Sequence, residues 1–99
     1  MSIFDRVVGR WRRQEVLAHG AAAPATVTAA RSLGRTSAAG SLTELALRIE
    51  PSGGKPFLRT IREWVPSGWE ARLTAGASVA VRYDDRTVVL DAGAMGMVT

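Results

Sequence analysis

Leu42-Thr43-Glu44-Leu45-Ala46-Leu47-Arg48-Ile49-Glu50, then Pro51-Ser52-Gly53-Gly54-Lys55, then Phe57 to Val65, is the stretch that decides the fold. Leu45, Leu47 and Ile49 alternate with Glu44, Ala46, Arg48 and Glu50, which is the two-residue period of a half-buried strand. Pro51 stops that strand, and the two glycines that follow supply the positive φ a tight connection needs. Phe57 to Val65 should therefore return antiparallel. With Glu50 opposite Pro56, Leu45 faces Ile61 and Glu44 faces Arg62. That register joins apolar to apolar and acid to base, and a slip of one residue would turn every side chain to the wrong face. It also puts Arg59 on the inward face, so Arg59 must sit at a rim, or a bulge must reset the alternation.

The same period continues downstream. Ala77 to Asp84 reads as a fourth strand with Val79, Val81 and Tyr83 inward, and Asp84-Asp85-Arg86 turns into a fifth, Thr87 to Asp91. Pro66-Ser67-Gly68 breaks the chain between third and fourth, and Trp69 to Leu73 fits one helical turn whose Trp69 and Leu73 close the core. Upstream, Pro24 to Arg31 is a first strand with Ala25, Val27 and Ala29 on one face. Ser32 to Ser41, rich in glycine and serine, reads as a mobile loop or loose hairpin connection. Five short strands in so few residues point to a small five-stranded antiparallel β-barrel of OB or SH3 type, with a two-layer sandwich as the alternative. Closure removes exposed strand edges, which matters in so short a chain.

Before Gly20 the period changes. Ile3, Phe4, Val7, Val8, Trp11 and Ala18 fall on one arc of a helix, and Arg6, Arg10 and Arg13 form a basic stripe along its flank. Ser2 with Asp5 reads as a capping box, and Gly20 stands where a left-handed C-cap would be. The expected organisation is an amphipathic basic helix over residues 1–20, a barrel over 24–92 and a flexible tail over 93–99. The apolar arc either packs on a protein surface (the chain's own barrel, a second copy or another protein) or enters a membrane interface with its arginines on lipid phosphates.

The chain has 99 residues, enough for one domain. Its net charge is +4, with Lys55 the only lysine beside twelve arginines. A basic surface favours acidic partners: nucleic acid, anionic lipid or an acidic protein face. The chain has no cysteine, which removes disulfides, thiol catalysis and cysteine–zinc sites. The arginines interrupt any secretory h-region, and no stretch approaches the roughly 20 apolar residues of a membrane span. The expected location is cytoplasmic, with peripheral attachment at the inner face of the membrane open to the helix.

No catalytic constellation is legible. His19 stands alone near a helix end, where capping or a surface position explains it. Asp84 and Asp85 suit turn geometry. No serine sits in a nucleophile elbow, and Pro51 to Lys55 lacks the spacing of a phosphate loop. No catalytic residue, metal ligand or cofactor is assigned. A nucleic-acid surface would need stacking aromatics on a basic strand face, and Arg62 with Trp64 is the nearest approach.

One resemblance adds to this reading. Leu73-Thr74-Ala75-Gly76-Ala77-Ser78-Val79-Ala80-Val81-Arg82-Tyr83-Asp84 is similar to small actinobacterial proteins carrying an uncharacterised β domain. Gly20 with Pro24-Ala25-Thr26-Val27, Leu47-Arg48-Ile49-Glu50-Pro51, Pro56-Phe57 and Val65-Pro66 extend the resemblance over residues 20 to 91. It implies a β fold often linked to membrane helices, with no established reaction. Asp85 departs from it, standing where a proline often follows the aspartate. No spanning helix is present in this sequence, which leaves the amphipathic helix as the candidate anchor. The function expected is a non-catalytic interaction module: it binds a protein partner or self-associates through Ile3, Phe4, Val7, Val8 and Trp11, or meets an anionic membrane surface. A single-stranded nucleic-acid-binding OB-like domain is the alternative.

Overall fold

A computed structural model describes residues 13–37 and 39–96 of the chain. Residues 13–19 are helical (α1) and lead into five strands: β1 Ala21–Ser37, β2 Gly40–Ile49, β3 Phe57–Pro66, β4 Ser78–Tyr83 and β5 Val88–Leu90. A 3-10 turn, Glu70–Arg72, joins β3 to β4, and a short helix, α2 Ala92–Met95, follows β5. All pairings are antiparallel, in the order β3-β2-β1-β4-β5, and the two outer strands approach each other to form a nearly closed barrel. The first strand belongs to both halves: its start pairs with β4 and the remainder with β2. This sharing is the arrangement of a partly open Greek-key barrel of OB type.

The hairpin has the register that the sequence demands. Ile49 lies opposite Phe57, Leu45 opposite Ile61 and Glu44 opposite Arg62, with no bulge along the ladder. Leu45, Leu47, Ile49 and Val65 are buried to within 1% and form the core with Val27, Val81, Leu73 and Leu90. Trp69 and Tyr83 pack against that core as expected, and Tyr83 meets Phe57 edge-on at 5.4 Å between ring centroids.

Three expectations need correction. β1 is far longer than Pro24 to Arg31: the segment from Ser32 is strand up to Ser37, not a mobile loop, and it joins β2 as a loose hairpin whose register shifts between Ser32 and Thr36. Its alternation is interrupted between Val27 and Ala29, where Thr28 has no register partner and donates from Oγ1 to Ala46 O at 3.1 Å. That bulge leaves Ala29 exposed, not inward, and it lies where β1 parts from β4 and bends across to β2 alone. At the other end of the barrel, residues that carry no strand pattern form α2: Asp91 caps it by accepting from Ala94 N at 3.1 Å, and Ala92 and Met95 pack on the core.

The third correction concerns Gly20. Its φ is not positive, so it is no left-handed cap. A glycine is required there because the helix end and the barrel crowd it: a Cβ would lie 2.5 Å from Val16 O and 3.0 Å from Tyr83 O. Both neighbours are backbone and cannot rotate away. Gly20→Ala is therefore expected to lower the unfolding free energy by about 1–2 kcal/mol, the usual scale of local overpacking, as read in urea denaturation. An unchanged midpoint would mean that the helix end can move off the barrel freely.

Candidate functional site

The alternation of β3 explains the most distinctive part of the molecule. Its inward positions run Phe57, Arg59, Ile61, Glu63 and Val65, and their burial rises along the strand from exposed Arg59 to fully buried Val65. The barrel is thus splayed at the start of β3 and shut at its end. Arg59 sits at the open rim, as the unbroken register requires, with its guanidinium 5.1 Å above the Phe57 ring.

No backbone pairing joins β3 to β5. A side chain bridges them instead. Glu63 is 7% exposed, and its Oε1 accepts from the Leu90 backbone N–H at 3.5 Å and from Arg13 Nη1 at 2.6 Å. Arg13 comes from α1, so one carboxylate links the helix and both edge strands. Ser41 and Thr43 are buried beside each other on β2, Thr43 being the register partner of Glu63, and their hydroxyls lie 3.3 Å apart. Every buried side-chain polar atom among the described residues has a partner.

The far end of α1 is held too. Arg82 donates from Nη1 to Gly20 O at 3.2 Å and from Nε to Asp91 Oδ2 at 3.3 Å. Arg82 is the register partner of Val89, which points outward between inward Val88 and Leu90 yet is only 4% exposed. Val16, in α1, is 1% exposed and lies outside the central cluster. The helix is therefore tied to β3 at its Arg13 end and to β4 where it ends at Gly20, with Val16 buried and Gln14, Ala18 and His19 exposed.

Above the Glu63 bridge the seam opens into a groove of about 530 Å³. One wall is Arg59 to Glu63 of β3, the other Arg86 to Val89 leading into β5, and Arg13 closes one end. Arg59, Arg62 and Arg86 are exposed. Asp84 serves the turn below, accepting from Arg86 N at 2.9 Å and Thr87 N at 2.8 Å. Among the described residues no group of acids and histidine could hold a metal ion, and no helix is long and apolar enough to cross a membrane.

The residues singled out in the sequence divide into three groups. Ile3, Phe4, Val7, Val8 and Trp11, with Arg6, Arg10 and the Ser2–Asp5 box, lie outside the described residues. Arg13 is present as the partner of Glu63. Arg62 and Trp64 share the outer face of β3 but not a site: Arg62 leans to Glu44, 3.8 Å away, while Trp64 is 43% exposed beside its register partner Leu42. Sequence reasoning passed over Glu63 and Arg86. The signal for Glu63 was available, since the register that placed Arg59 inward placed Glu63 inward as well. Comparison of the chain with protein-family models, curated proteins and solved structures finds no match.

Proposed function

We propose that the protein is a non-catalytic interaction module whose barrel holds out an amphipathic helix to a protein partner, a second copy of the chain being the simplest case. One observation carries this reading: α1 is clamped to the barrel through Arg13 and Val16 while Ala18 faces solvent. At about 100° per residue, Ile3, Phe4, Val7, Val8 and Trp11 fall within roughly 80° of Ala18, whereas Val16 is roughly 160° away. A helix continued at the same pitch before Arg13 would put the apolar arc read from the sequence on the side that the barrel does not use. Peripheral attachment to an anionic membrane at the inner face would use the same arc. Membership of the actinobacterial β-domain family is part of this proposal.

Single-stranded nucleic acid fits the barrel type but gains little from its aromatics. Phe57 is covered by Arg59, Trp69 lies under Arg72 at 4.7 Å, and among the described residues only Trp64 is an exposed aromatic. One open ring is no stacking platform.

Light scattering on the full chain tests the reading. The protein is expected to run as an oligomer, and Trp11→Glu to run as a monomer with an unaltered melting temperature. A wild-type monomer that also fails to sediment with anionic phosphatidylserine vesicles would refute it. Sedimentation lost on removing residues 1–12 would assign the arc to lipid. Tight, steeply salt-dependent binding of oligothymidine, weakened by Trp64→Ala, would replace the module with the nucleic-acid reading.

A further inference from the structure

We propose that the seam between β3 and β5 takes up an acidic, extended peptide segment as an added strand on β3. The site is separate from the helix face and does not depend on it.

The first ground is the backbone. β3 is ten residues long and β5 three, and neither makes a ladder with the other. Among the described residues, the hydrogen bond across the gap is that of Leu90 N–H to Glu63, at the closed end. Among the described residues no strand lies on the far side of β3 from Phe57 to Arg62, and Leu58, Arg59 and Thr60 are exposed. A free strand edge of this kind is a template for main-chain pairing. The groove walls are consecutive strand residues, five of them on β3, so the slot is on the order of 17 Å long and fits four or five extended residues.

The second ground is charge. Arg13, Arg59, Arg62 and Arg86 line the groove against one carboxylate, Glu63, which is already engaged by Arg13 and Leu90. Glu44 draws Arg62 only from the outer face, at 3.8 Å. Arginines on an open edge guard it against a second copy of itself, because pairing β3 with β3 would set Arg59 and Arg62 against their own kind. The same arginines select a strand carrying carboxylates. Main-chain pairing would supply affinity and the arginines the choice of partner.

The test uses the full-length, isotope-labelled chain and the capped peptide acetyl-(Glu-Val)4-amide. The peptide should move and protect amides of residues 57–63 and 86–90 at sub-millimolar affinity. Arg59→Glu with Arg86→Glu, both exposed positions, should weaken it at least tenfold without changing the thermal melt. The same peptide N-methylated at alternate residues should not bind; because it is used on the wild-type chain, this arm stands even if the charge-reversed variant misfolds. No binding by the parent peptide, or equal binding by the N-methylated one, overturns the proposal. So does oligothymidine binding at the same β3 amides more tightly than the peptide.

Discussion

Leu47→Ala is expected to remove about 3–4 kcal/mol of stability, within the range for truncating a fully buried leucine. Leu47 is 1% exposed and lies in β2, between Val27 on β1 and Arg59 on β3. Its loss leaves a void that the barrel cannot close cheaply, because the staves on both sides are fixed by ladders. A domain of this size has only about 5–10 kcal/mol to lose. The melting temperature should accordingly fall by roughly 15–25 °C. Leu58→Ala is the control: its side chain is 67% exposed on the outer face, and truncation there should stay within about 0.5 kcal/mol. Comparable losses at the two positions, measured by calorimetry, would contradict the inward and outward assignment of β2 and β3.

That assignment was legible because hairpin, alternation and cross-strand charge all demanded one register. The bent first strand was not legible. Composition from Ser32 onward says loop, and the ladder with β2 does break between Ser32 and Thr36, but pairing resumes at Thr36 and Ser37 and keeps the segment in the sheet. The bulge at Thr28 has no local mark either, since a bulge there answers to the barrel's need to bend where the pairing of β1 with β4 stops. Gly20 shows a subtler case. Its position at the helix end was readable, but part of the crowding that demands a glycine comes from Tyr83 O at 3.0 Å, beside Val16 O at 2.5 Å, and the sequence cannot bring Tyr83 alongside. The same holds for Arg13. It belongs to a basic stripe along the helix flank, and its partner stands 50 residues away. Local periodicity finds faces; it does not find what covers them.

Glu63→Ala is the second large effect, expected to cost about 2–3 kcal/mol. The carboxylate side chain is 8% exposed while Arg13 is 41% exposed, so the two partners are not equivalent. Removing the acid leaves the Leu90 N–H buried without its acceptor and frees an arginine that can still reach water. Arg13→Ala instead leaves the carboxylate enclosed with only the long contact to Leu90, a cost of about 1–3 kcal/mol. The double variant should cost less than the sum, with a coupling of about 1–2 kcal/mol if the pair acts as a unit. Glu63→Gln separates charge from shape, since the amide oxygen can still accept from Leu90 while the ion pair is gone. It should therefore fall between wild type and Glu63→Ala. A purely structural seam would show these losses only in urea denaturation. A seam that also seats the helix should in addition speed amide exchange at Gly20, whose N–H is bonded to Val16 O at 2.7 Å, under conditions where the barrel stays folded. Glu63→Ala with wild-type exchange at Gly20 would show that α1 is held by Val16 and Arg82 alone.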